Sequence, residues 1–155
     1  MKVFISSLNV PIGYSTPPFP SLFWPLGPNQ ESYQASFLYY SSDMWIFTVY
    51  WTLIVFGVFY FGAGLIAVYH NWLSDIQHGL PINKLSIIGG IITVPLFLSI
   101  GLIRGFISSA IIGLLLSSIY RAGTLTMSTW IPLTWAIAQI LYDVSSAYST
   151  TLVIL

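Results

Sequence analysis

Long apolar runs separated by short polar breaks fill the chain from residue 45 onward, and each run has the length of a bilayer-crossing helix. The first covers 45–69 and follows Ser41-Ser42-Asp43, where hydroxyl and acidic side chains suit the capped, positive end of a helix. About 25 residues rising ~1.5 Å each reach roughly 37 Å, enough to cross a bilayer with some tilt. Trp45 at one end, and Tyr69 with Trp72 at the other, are placed as interface anchors. Gly57, Ala63, Gly64 and Ala67 give this run a small-residue face. A polar connection over 70–84 follows, with Asp75, Gln77, Asn83 and a turn at Gly79-Leu80-Pro81.

The second run, 85–121, is interrupted by Pro95 and Arg104, and two architectures compete for it. In one, Arg104-Gly105 turns a hairpin between two short spans, giving four crossings. In the other, a single long helix kinks near Pro95 and carries Arg104 inside the membrane, giving three. A hairpin would turn on Ile103-Arg104-Gly105-Phe106, which lacks the Asn, Asp, Ser or Pro that turns use. Small residues also recur at every fourth position through this point: Gly101, Gly105, Ser109, Gly113 and Ser117. On a helix they form one continuous groove, and its phase does not change at Arg104. Three spans are therefore the favoured reading, with 85–94 as a slanted or partly embedded lead-in.

The groove is informative about the solvent. In water, interior glycines each cost about 1 kcal/mol against alanine. In lipid, helices gain nothing hydrophobic by associating and rely on close backbone approach over Gly and Ser. The groove therefore predicts helix packing, or a lateral cleft for an acyl chain. Arg121 in the last turn and a left-handed cap at Gly123 end this helix. After a short loop over 124–128, Ser128 or Thr129 is expected to cap a third helix, with Pro132 tolerated in its first turn. The expected fold is an all-α polytopic membrane helical bundle with three transmembrane helices, at about 45–69, 85–121 and 130–154 within a domain spanning 43–155.

Residues 1–42 differ, with Pro11, Pro17, Pro18, Pro20, Pro25 and Pro28 set among Phe19, Phe23 and Trp24. Repeated Pro favours extended, irregular chain. The P-x-x-P spacings lack a flanking Arg or Lys, so a wet linker is expected ahead of a docking motif, while the aromatics suit the headgroup level or the surface of a partner. The opening residues are too short in apolar character for a signal peptide, so insertion is expected to start from an internal span. The chain is expected to end with its last helix, without a further domain.

Composition agrees. Only 5% of the 155 residues are charged and 56% are hydrophobic, against roughly 25% charged in soluble domains. Net charge is zero, so no basic field exists for nucleic acid. Cysteine is absent, which removes disulfides and thiolate metal sites. His70 and His78 lack a nearby Cys or carboxylate pair and read as interfacial histidines, so neither metal nor cofactor is expected. Scattered carboxylates with no nucleophile–base pairing argue against an enzyme, and no filter sequence suggests a channel.

Arg104 and Asp143 are the charges at depth. If the second and third helices run antiparallel, Arg104 lies roughly 25 Å and Asp143 roughly 18 Å from their shared loop. An Arg side chain spans most of that difference, which predicts an Arg104–Asp143 pair, with Gln139 and Ser108 as further partners. The alternative has Arg104 reaching the headgroups while Asp143 is solvated near an end.

Asp43-Met44-Trp45, Ala63-Gly64-Leu65-Ile66-Ala67, Val94-Pro95 and Tyr120-Arg121-Ala122-Gly123, in this order, resemble the transmembrane protein 170 family. The resemblance covers about 43–155; the second apolar segment is longer here, and the Pro-rich tail has no counterpart. It implies three spans in the endoplasmic reticulum membrane and nuclear envelope, with a lumenal N-terminus. It further implies either of two roles. One is a non-enzymatic subunit that helps a large bridge-like lipid-transfer protein take up membrane phospholipid; for that role the chemistry of arginine, and not the resemblance, makes Arg104 and Arg121 the groups expected to attract phosphate. The other is a structural scaffold that shapes the membrane by helix–helix association through Gly101, Gly105, Ser109, Gly113 and Ser117.

Overall fold

The computed structural model of the chain describes residues 7, 10, 12–22, 37–77 and 84–154, with the backbone alone at 84–86 and 149–154. The turn expected at Gly79-Leu80-Pro81, His78, and the second proline cluster with Phe23 and Trp24 lie outside the described residues. Among the described residues the fold is all-α, with three helices: α1 (Ser41–Gln77), α2 (Lys84–Ala122) and α3 (Trp130–Ile154). Two short strands, β1 (Phe37–Leu38) and β2 (Met127–Ser128), pair antiparallel, with Leu38 opposite Met127. Both α1 and the Ile87–Ala122 part of α2 are long and apolar enough to cross a membrane. Their outward faces carry exposed Ile, Leu and Phe along most of their length, a surface suited to lipid and not to water.

α1 is longer at both ends than the apolar run. The Tyr40 carbonyl accepts from the N–H groups of Asp43 and Met44 at 3.1 Å each, so Tyr40 is the cap and Ser41-Ser42-Asp43 form the first turn. Asp43 still meets the positive helix end, and there it accepts from the Thr16 hydroxyl at 2.8 Å. At the other end no Gly or Pro interrupts 70–77, so the helix continues beyond Tyr69 through Asp75.

α2 passes through both Pro95 and Arg104-Gly105 as one helix. The hairpin does not form, and 85–94 is the first part of the same element, not a separate lead-in. Pro95 removes one backbone donor, and the turn before it is tied down by the Thr93 hydroxyl on the Gly89 carbonyl at 2.8 Å.

The end of α2 corrects another expectation. Thr124, not Gly123, takes the left-handed conformation, with φ of 50°. Its N–H donates to the Arg121 carbonyl at 3.2 Å, and Leu125 N–H donates to the Tyr120 carbonyl at 3.0 Å. That pair of bonds is a Schellman cap whose left-handed position falls one residue later than the glycine. The cap expected from Thr129 is not formed: its buried hydroxyl has no hydrogen-bond partner among the described residues, and Ser128 Oγ accepts from Trp130 N–H at a long 3.5 Å.

The first part of the Pro-rich segment is packed, not a wet linker. Pro17 is buried, and the Phe19 ring sits 5.2–5.5 Å from the rings of Trp51, Tyr50 and Phe47. Tyr14 donates to the Phe37 carbonyl at 2.8 Å, and Ser7 N–H to the Thr124 carbonyl at 2.9 Å. This segment, β1 and β2 close over a buried cluster of Leu38, Met44, Phe47, Leu116 and Met127 at one end of the helices.

Candidate functional site

α1 is the central helix: it packs along α2 over most of its length and along α3 less extensively, while α2 and α3 barely approach each other. The small-residue groove of α2 faces α1. Gly101, Gly105, Ser109, Gly113 and Ser117 are all buried. A Cβ added at Gly105 would lie 3.0 Å from Phe56 Cβ, and one at Gly113 would lie 2.9 Å from the Trp45 ring. At Gly101 it would run into the Tyr60 side chain. The fit is reciprocal, because a Cβ on Gly64 of α1 would meet Val94 and Phe97 of α2 at 3.3 Å. The two helices thus run antiparallel with aromatic rings of one seated over glycines of the other.

Polar groups inside this interface satisfy themselves locally. Thr48 and Thr52 donate to carbonyls one turn back, each at 2.8 Å, and Ser109 and Ser117 do the same at 3.0 Å. Trp45 Nε1–H crosses to the Ala110 carbonyl at 3.3 Å. The groove is filled by α1 and leaves no room for an acyl chain.

The open space lies elsewhere, between α2 and α3. A cleft of about 430 Å³ there is walled by Ile111 and Ile112 on one side and by Trp135, Ala138 and Tyr142 on the other. Two polar bridges join its walls. Ser108 Oγ donates to Gln139 Oε1 at 2.7 Å, and Gln139 Nε2 reaches Thr52 Oγ1 on α1 at 3.5 Å. One helical turn further along both helices, Arg104 Nη1 donates to Asp143 Oδ1 at 3.0 Å. Tyr60 on α1 donates to the other carboxylate oxygen, Asp143 Oδ2, at 2.6 Å.

Ser108 and Gln139, expected as further partners of the charged pair, therefore bond to each other instead. Tyr60 is the partner that sequence reasoning missed. Its position over Gly101 needs the antiparallel register of α1 on α2, for which neither helix carries a local signal. Arg104 is half exposed and Asp143 mostly covered, with 56% and 21% of their side-chain surfaces accessible. Arg121 is exposed in the last turn of α2. His70 is exposed on α1, and among the described residues no three His, Asp or Glu side chains converge as metal ligands.

Residues 37–155 match the family described as transmembrane protein 170A/B-like. An uncharacterised protein of Saccharomyces cerevisiae is 40% identical over 149 residues, covering 96% of each chain. No solved structure matches.

Proposed function

This chain belongs to the transmembrane protein 170A/B-like family, and from that premise we propose that it is a non-enzymatic, three-span subunit of the endoplasmic reticulum membrane that holds phospholipid for uptake by a larger lipid-transfer protein. The observation that carries the reading is the apolar cleft between α2 and α3. Its volume of about 430 Å³ falls in the range of small-ligand sites, and its walls are the flanks of two helices that this reading places in the bilayer. An acyl chain fits between the isoleucines of α2 and the Trp135 face of α3. Arg121, exposed in the last turn of α2 and nine residues beyond Ile112 of the cleft, is the guanidinium assigned to the phosphate. Arg104 is engaged by Asp143 and closes the deep end. α3, with 25 residues reaching about 37 Å, supplies the third span.

Membrane shaping by self-association through the α2 groove has less support, because α1 already occupies that groove. Photoreactive phospholipid in membranes holding the full chain tests the proposal. Labelling is expected around Ser108, Ile111 and Trp135, and Ala138→Phe, which fills an exposed position of the cleft, should remove most of it. Absence of labelling there overturns the reading. Affinity purification in mild detergent tests the partner: a very large rod-like protein is expected to come with this chain.

A further inference from the structure

We propose that a second cleft, between α1 and α2 at the far end from the strands, binds the protonated primary amine of an ethanolamine-type headgroup. It measures about 400 Å³ and is lined by Asn71, Trp72, Ser74 and Asp75 of α1 and by Gly89 and Thr93 of α2, among others. The inference concerns different residues and a different class of contact from the α2–α3 cleft, and it does not depend on that site holding lipid.

Position comes first. The apolar run of α1 ends at Tyr69, and the next two turns carry the polar side chains of the cleft. The cleft therefore sits where hydrocarbon gives way to headgroups, the level at which Trp72 is at home. Shape comes second. A Cβ built on Gly90 would touch Val68 Cγ1 at 3.0 Å, so there the helices are in contact. One residue earlier, a Cβ on Gly89 would meet nothing within 4 Å. The missing side chain at Gly89 leaves the space open.

Chemistry comes third. Asp75 brings a carboxylate, whose oxygens together accept several hydrogen bonds, so a ligand donor can join whatever it already contacts. Asn71 and Ser74 add oxygen acceptors, and Trp72 is the one aromatic ring in the wall. Among the residues whose side chains are described, Asp75 is the one charged group that lines the cleft, and a negative charge suits a cation. A primary ammonium has three N–H donors for these acceptors. A choline headgroup has none, and relies on an aromatic cage where this cleft has one ring. A serine headgroup adds a carboxylate that Asp75 would repel.

The test is native mass spectrometry of the full chain in detergent with equal amounts of phosphatidylethanolamine, phosphatidylcholine and phosphatidylserine. Phosphatidylethanolamine is expected to be retained about tenfold over the other two, the effect of one charge-assisted contact. Gly89→Leu, which grows into open space and leaves the thermal melt unchanged, should abolish that preference, as should Asp75→Asn. Ala138→Phe, in the other cleft, should leave it intact, so the two sites are read separately. Displacement by soluble phosphoethanolamine identifies the headgroup alone as sufficient; lack of displacement identifies the intact lipid as the ligand. Equal retention of the three lipids, or a preference that survives both Gly89→Leu and Asp75→Asn, overturns the proposal.

Discussion

The Tyr60 hydroxyl and the Asp143 carboxylate meet at 2.6 Å, and this contact ties α1 to α3 at the point where Arg104 of α2 binds the same carboxylate. One acidic group therefore holds all three helices. A shared acceptor of this kind makes each donor's loss felt by the other, because the carboxylate is left with fewer charge-assisted bonds in a poorly hydrated place.

Asp143→Ala should lower stability in detergent by about 1–3 kcal/mol, and Tyr60→Phe by about 1 kcal/mol. Exchanging the charges, Arg104→Asp with Asp143→Arg, should recover part of what either single reversal loses. Thermal unfolding followed by circular dichroism measures each variant, and a double exchange no better than the singles would show that the pair adds nothing.

Glycine positions along the α1–α2 interface should respond unequally. Gly101→Leu places a side chain where Tyr60 lies and should cost about 1–3 kcal/mol by overpacking. Gly57→Ala should be neutral or stabilising by up to about 1 kcal/mol, since its new methyl would sit 3.7 Å from Leu102, an ordinary contact. Melting temperatures of the two variants in one detergent decide the matter.

The helix cap offers a gain. Thr124 is β-branched and left-handed, a combination that costs about 1–2 kcal/mol. Thr124→Gly should therefore stabilise the chain by about 1 kcal/mol, as glycine does at the left-handed position of such caps. A lowered melting temperature would show that the Thr124 side chain contributes more than its backbone strain costs.

Tyr14 gives a pH dependence. Burial, and then the negative charge of Asp43, push its phenol from 10.0 up to about 12. The folded state holds this proton more tightly than the unfolded state does. The resulting stability is fully present below pH 10 and is lost as pH rises to about 12. Phenolate absorbance should show this late titration in the intact protein, and Tyr14→Phe should remove it.

Much of this was legible in the residues, and the failures are specific. Tyr40 caps α1 through its backbone, a role open to any residue, so Ser41-Ser42-Asp43 drew the expectation instead. Gly123 drew the left-handed assignment because glycine adopts it without strain, yet the chain placed Thr124 there to join α2 to β2. The first proline cluster looked like linker because nothing nearby in sequence reveals that Phe19 will lie on Trp51, far along the chain.

Read alone, the order of amino acids decides where helices form and which side of α2 is small, because hydrophobic runs and a four-residue spacing are local and periodic. It also places Arg104 and Asp143 at comparable heights, since helical rise is constant. Only the folded molecule decides what lies against each surface. The antiparallel register of α1 on α2 puts rings over glycines, fills the groove, and leaves the open space between α2 and α3. That register comes from the simultaneous fit of Gly64, Gly101, Gly105 and Gly113 to residues of the facing helix, and a fit between two surfaces cannot be read from either one.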